Sequence, residues 1–250
     1  MRKEILFLSF FCFLSPCLVF VMPESDYWIS RPSGNSLTVI GVSNPMIRKE
    51  DAIASAKEDA AKKVSMYYGI QGSIEKLEIT GLGFLENKNE INIKLSYDTD
   101  YSKYIELLTY DPQKDIFITD RGVFIRFQHA TTVSGINYNT KIANNRPTWV
   151  NNQDKPDIEG FITAVGVSQN QRYIKDTVFK SVESAAVRMI EELSTIIDTK
   201  EISSSEYGSG FSNYIYAVSE GKLINFYVIE FWIDSQTGYV YSLAIAKSVQ

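Results

Sequence analysis

One stretch of this chain occurs twice. Thr38-Val39-Ile40-Gly41-Val42-Ser43 returns as Thr163-Ala164-Val165-Gly166-Val167-Ser168, and the likeness continues at the same offset through Asp51/Asp176, Glu58/Glu183, Ala60/Ala185 and Ala61/Ala186. Each copy follows a tryptophan and an aliphatic residue, Trp28-Ile29 and Trp149-Val150. Solenoid units run to roughly 20–50 residues, so a period this long reads as a duplicated domain instead. The chain has 250 residues, and at about 100–200 residues per domain the duplication argues for two. The expected boundaries are a leader or anchor over 1–22, a first repeat over 23–130, a linker over 131–148 and a second repeat over 149–250.

Within each copy the hydrophobic period changes in the same order. Leu37 to Val42 is a short β-rich run, and Arg48 to Tyr68 then places Ile53, Ala56, Ala60, Val64 and Tyr67 at helical spacing. Lys57, Glu58, Lys62 and Lys63 fall on the other side, which reads as a solvated face, and Gly69 stands where a left-handed cap is expected. Ser73–Phe84 and Glu90–Tyr97 read as a hairpin, the second strand alternating Ile91, Ile93, Leu95 and Tyr97 with polar residues. A short helix around Tyr101–Leu108, stopped by Asp111-Pro112, and a hairpin turning at Asp120-Arg121-Gly122 complete the first copy. From Thr131 to Gly160 the chain is rich in Asn, Pro, Asp and Gly, the composition of a connection. The second copy reads as a strand over Phe161–Val167, a helix over Tyr173–Thr199, and strands Asn213–Val218, Leu223–Asp234 and Tyr239–Lys247. Turns are expected at Glu220-Gly221 and at Ser235-Gln236-Thr237-Gly238. The expected fold class is α+β, two tandem repeats, each a long helix packed on a mainly antiparallel sheet. Strands that cluster after the helix disfavour a doubly wound nucleotide fold.

Chemistry-bearing constellations are scarce. His129 is the one histidine, so a multi-histidine metal site is excluded and the residue reads as structural. Asp98-Thr99-Asp100 lacks the further acidic ligands and the glycine of a calcium loop, and reads as a turn. Gly81-Leu82-Gly83 lies between strands and does not open a helix, so it reads as a kink or bulge. No catalytic, cofactor-binding or metal residue is expected. The net charge is −5 with no basic stripe, which speaks against a nucleic-acid partner. In Phe226–Ile233 the alternation breaks down, so both faces of that strand carry bulk. Phe226, Phe231, Trp232, Tyr239 and Tyr241 are the candidate interface, against the first copy or against a partner.

The amino terminus carries Arg2 and Lys3 ahead of the apolar run Ile5–Leu14, the pattern of a secretory signal. Three fates stay open for it: ordinary cleavage near Ser15-Pro16-Cys17, acylation at Cys17, or retention as a membrane anchor. Both cysteines, Cys12 and Cys17, lie in this segment, so residues 23–250 contain no thiol and no disulfide.

Several features together resemble the twenty-kilodalton membrane-associated lipoprotein family of bacteria. They are Pro147-Thr148-Trp149, the strand Ala164-Val165-Gly166-Val167, the helix with Ala185-Ala186, and the closing hairpin from Trp232 to Ala244 through Asp234-Ser235-Gln236-Thr237-Gly238. Residues 147–246 carry most of the resemblance. Thr38–Val64 fits as well, and the last hairpin of the first copy is degenerate. The resemblance implies export, association with the outer envelope and, in some members, with flagellar basal-body rings; it implies no catalytic residue. The expected function is therefore a non-enzymatic exported envelope protein, periplasmic or at the outer membrane, acting through contacts with envelope proteins or with itself. The alternative is a periplasmic small-ligand-binding module with a cleft between the repeats. A cleft lined by Tyr and Trp favours the second reading, and a flat apolar patch the first.

Overall fold

The computed structural model describes residues 27–29, 36–81, 88–133, 136, 138–144, 146–151, 154–193, 196–204 and 210–248. Cys12, Cys17 and the rest of the leader lie outside the described residues, as do Leu82 and Gly83. The fold is mixed α and β with antiparallel sheets. In chain order the elements are β1 (Tyr27–Ile29), β2 (Ser36–Ser43), α1 (Lys49–Tyr68), β3 (Ile70–Gly81), β4 (Lys88–Tyr97), α2 (Ser102–Ile105), β5 (Leu108–Thr109), β6 (Ile116–Ile118) and β7 (Val123–Thr132). There follow β8 (Ile142–Ala143), β9 (Arg146–Pro147), β10 (Ile162–Ser168), α3 (Ile174–Leu193), β11 (Ile196–Ser204), β12 (Gly210–Ile233) and β13 (Val240–Ser248). A seven-stranded sheet runs β10-β13-β12-β3-β4, with β1 and β11 also paired to β12. A four-stranded sheet runs β2-β7-β5, with β6 on β7.

The repeated glycines place the helices. An ideal Cβ built on Gly41 falls 2.1 Å from the Ala56 carbonyl oxygen of α1, and one on Gly166 falls 1.9 Å from the Ser181 carbonyl oxygen of α3. Only a residue without a Cβ lets the strand and helix backbones approach this closely. Small residues complete each seam: Ala52, Ala56, Ala60 and Ala61 on α1, Ala185 and Ala186 on α3, all at most 2% exposed.

Polar side chains then tie each helix to its strand. Asp59 Oδ2 accepts from Val42 N at 2.9 Å, and Lys63 Nζ donates to Ile40 O at 2.8 Å and to Asp59 Oδ2 at 2.6 Å. At the same offset in the second half, Ser184 Oγ accepts from Val167 N at 3.3 Å and Arg188 donates to Val165 O at 2.7 Å. Among the described residues β2 pairs with β7 alone and β10 with β13 alone. The helices thus satisfy backbone groups on the free edges of both strands, groups that buried chain must pair somewhere. This corrects the expectation of a solvated charged face on α1 at Lys63, whereas Glu58 is exposed and Lys57 and Lys62 are half-buried. Lys63 is 6% exposed and Asp59 2%. Burial pushes the Lys63 pKa down, with the Asp59 carboxylate opposing the shift.

Four further expectations are corrected. The α3 helix ends at Leu193, and 196–199 belong to strand β11, because the β-branched run Thr195-Ile196-Ile197 favours extended chain over helix. Glu220-Gly221 is no turn: β12 continues through it, Gly221 lying opposite Gly72 of β3 with Ile190 and Leu193 of α3 close by. Gly69 is not a left-handed cap but extended, with φ 163°. Residues 131–148 are more than a tether. Val133 is buried there, and the adjoining Trp149, 0% exposed, donates its indole N–H to Glu230 Oε2 at 2.6 Å. The Thr140 hydroxyl donates to the other oxygen of this buried carboxylate.

Two apolar clusters form the core, and each draws on both halves. One joins Ile40, Val42 and Phe124 to α3 through Val178, Val182 and Met189, and to Phe226, Val228 and Phe231 of β12. The other joins α1, Leu37, Val39, Ile125 and Phe127 to Val165, Tyr227, Ile229 and Leu243. Both faces of β2 and of β12 from Phe226 to Ile233 are therefore covered, each by a different half of the chain.

Candidate functional site

The outer strand of the large sheet departs from this pattern of burial. β4 pairs only with β3, and no described strand pairs its other edge. Its apolar positions alternate as period two demands, so Ile91, Ile93 and Leu95 share one face. Toward Tyr97 that face is half-buried, but Ile93 is 48% exposed and Ile91 56%. Exposed Ile on an unpaired edge is what isolated domains usually avoid.

Beside this row runs an open groove of about 550 Å³, between Ile93 and Leu95 of β4, the end of β10 at Val167 and Ser168, and Lys180, Glu183, Ser184 and Val187 of α3. Its floor is part apolar and part charged. Burial pushes the Glu183 carboxyl up, against the pull of Lys62 and Lys180. Burial also pushes the Tyr97 phenol up to about 12, with Glu183 adding to the shift. Lys62 covers the Phe179 ring at 3.6 Å from its centroid. The groove offers an extended backbone edge, apolar positions in alternation, and one carboxylate with two ammonium groups near it.

The other sequence candidates are placed as follows. Phe226 and Phe231 are buried, at 1% and 3% exposure, in the cluster that joins the halves, so they serve the core and present no outer surface. Trp232, Tyr239 and Tyr241 are half-buried. The Trp232 and Tyr241 rings meet at 5.4 Å, and the Arg146 guanidinium lies over both, at 5.6 and 5.9 Å. His129 is buried, its Nδ1 2.7 Å from the Thr131 hydroxyl, with Tyr68 and Tyr104 edge-on around it. Asp98 accepts from Asp100 N at 3.0 Å and pairs with Lys103, while Asp100 accepts from Ser102 at 2.6 Å, so both carboxylates belong to the turn into α2. Cys17 lies outside the described residues.

The alternation of β4 reads from the sequence as one dry and one wet face, whereas Ile91 and Ile93 on its apolar side are exposed. The signal available was the short, polar surrounding of Ile91 and Ile93, between Asn89-Glu90 and Lys94. Among the described residues no group of three or more His, Cys, Asp or Glu is arranged to hold a metal ion, and no helix is long and apolar enough to cross a membrane. No protein-family model, no curated protein and no solved structure matches this chain.

Proposed function

We propose that this protein is a non-enzymatic component of a bacterial envelope, exported through its apolar amino-terminal segment. It holds an extended segment of another envelope protein against the free edge of β4. The observation that carries the reading is the β4 edge that no described strand pairs, with Ile91 and Ile93 exposed above the groove. Strand addition draws affinity from backbone hydrogen bonds and specificity from alternate side chains, so the matching segment carries apolar residues at every second position. Two further proposals accompany it. The chain is a duplication of one β-α-β unit, supported by the equivalent glycine seams at Gly41 and Gly166 and the equivalent stitches from Asp59/Lys63 and Ser184/Arg188. It is related to the lipoprotein family it resembles, supported by the closing hairpin and the Pro147-Thr148-Trp149 motif.

The test is site-specific photocrosslinking from position 93 in intact cells, with position 118 on β6 as a control, since Ile118 is 56% exposed on the other sheet. A discrete adduct from position 93 that Ile91→Lys abolishes supports the reading. Equal labelling from 93 and 118, or an adduct indifferent to Ile91→Lys, defeats it. Radiolabelled fatty acid that enters the wild type and not Cys17→Ser identifies the anchor, and recovery of the protein from the cytoplasm refutes export.

A further inference from the structure

A different feature lies at the seam of the two halves. In β12 the register against β13 slips between Ile224 and Tyr227, so that Asn225 and Phe226 stand where one residue would. Asn225 takes φ 53°, a left-handed conformation that asparagine tolerates better than most residues. Such bulges re-aim side chains, and this one turns toward a cavity. The cavity measures about 110 Å³ and is lined by Tyr67, Thr132 and Val133 from the first half and by Phe161, Asn225, Tyr227 and Lys247 from the second.

One polar group of this wall is not used up by the fold. Tyr227 is 5% exposed, and among the described residues its hydroxyl has no hydrogen-bond partner. A buried phenol left unpaired is costly, so a ligand that accepts its hydrogen bond recovers that loss. Tyr67 stands 6.0 Å from Tyr227, ring to ring, with the Asn225 side chain at its hydroxyl. Lys247 is the one formally charged lining residue, and its ammonium lies 5.2 Å from the centre of the Phe161 ring, at the rim. Burial and the neighbouring Tyr67 push the Tyr227 phenol up, so it stays a donor at neutral pH. The Tyr227 phenol and the Lys247 ammonium present hydrogens and positive charge, and none of the described residues that line the cavity is acidic. Phe161 and Val133 add a short apolar wall.

We propose that this seam cavity is a binding site for a small aliphatic monocarboxylate, its oxygens held by Tyr227 and Lys247 and its alkyl end against Val133 and Phe161. Size decides the class. Sites for drug-sized ligands run to roughly 300–1,000 Å³, and one water takes about 30 Å³, so this cavity admits a few heavy atoms and no nucleotide or sugar. Because both halves contribute walls, occupancy favours the packed arrangement of the halves. The site makes no use of the β4 edge, so it stands or falls apart from partner capture.

The test uses the full chain, titrated by amide NMR at fixed ionic strength with propionate, the uncharged isostere propionamide, and inorganic phosphate. Propionate is expected to give saturable shifts at the amides of Asn225, Tyr227 and Lys247, and propionamide none. Lys247→Met should weaken propionate binding about tenfold or more, the size of one charge-assisted hydrogen bond. Tyr227→Phe should do likewise while leaving the melting temperature unchanged or raised, because it removes an unpaired buried hydroxyl. Lys247 is exposed, so its variant folds even if Tyr227→Phe does not. Absence of saturable shifts, equal response to propionamide, preference for phosphate, or undiminished binding in Lys247→Met each overturns the assignment.

Discussion

Asp59 and Lys63 stand one turn apart on α1, both nearly free of solvent, and together they hold the edge of β2. A buried ion pair is not strongly stabilising in itself, because desolvation offsets most of the attraction, but removing one member strands the other. Lys63→Met leaves the Asp59 carboxylate without its cation and the Ile40 carbonyl without its donor, and is expected to cost about 3–5 kcal/mol. Arg188→Met removes the equivalent donor in the second half, where the partner residue is the uncharged Ser184 and the site is only half-buried, so about 1 kcal/mol is expected. Urea unfolding of the two variants measures the contrast, and equal losses would show that the Asp59 charge plays no part. At His129 the expectation concerns pH. Burial holds its imidazole below the usual value, whereas the unfolded chain takes up the proton near pH 6.5. Between the two values the unfolded state binds more protons, so stability falls as pH drops through about 6.5 and levels off below the folded pKa. Unfolding free energies between about pH 7.5 and 5.5 should therefore decline more steeply in the wild type than in His129→Gln.

At the level of elements, the strand-to-helix seams are the most sensitive places. Gly41→Ala and Gly166→Ala push a methyl carbon to about 2 Å from a helix carbonyl oxygen, so the helix must lift, at an expected cost of 1–3 kcal/mol or more, since about that much follows overpacking. Gly69→Ala is the internal control. Its backbone is extended and the nearest atom to a new Cβ is 3.9 Å away, so a gain of about 0.4–1 kcal/mol from the stiffer unfolded chain is expected. Thermal melts that rank the three otherwise would remove the close-approach argument. These seams were legible beforehand, because the repeated Thr-x-x-Gly-Val-Ser and the alanine stripes are local patterns. Strand β11 was not, since the apolar spacing of α3 continues into Ile196 and only the β-branched run marks the change. Gly221 misled because a glycine beside a charged residue is the usual mark of a turn, and its role here is space for α3. The burial of Lys63 had no local signal at all: a lysine among Lys57, Glu58 and Lys62 reads as solvated until the edge of β2 is known to need a donor. Alternation made the β4 row visible, but exposure depends on what the sheet leaves uncovered. The seam cavity draws Tyr67, Phe161, Asn225, Tyr227 and Lys247 from separate elements, and no pattern along the chain brings them together.

On the scale of the whole molecule, the halves share what holds them. The amide of Lys175, at the start of α3, donates to Asn44 Oδ1 at 3.2 Å, and its ammonium reaches Ser55 Oγ at 3.1 Å on α1. The connection between the halves is anchored through Trp149 to Glu230 of β12. Each apolar cluster mixes residues from both halves, so neither half retains a complete core if the other opens. The chain should therefore unfold in one transition, with calorimetric and van't Hoff enthalpies equal. A lesion in one half should also be felt in the other. Ile125 is fully buried on β7 in the cluster that includes Ile229 and Leu243, and Ile125→Ala is expected to cost about 2–5 kcal/mol. If the halves are one cooperative unit, native-state hydrogen exchange at the slowest amides of β10, β12 and β13 must lose the same free energy as those of β2 and β7. Two tandem domains joined only by a tether would instead leave the second-half amides at their wild-type protection and split the thermal transition in two.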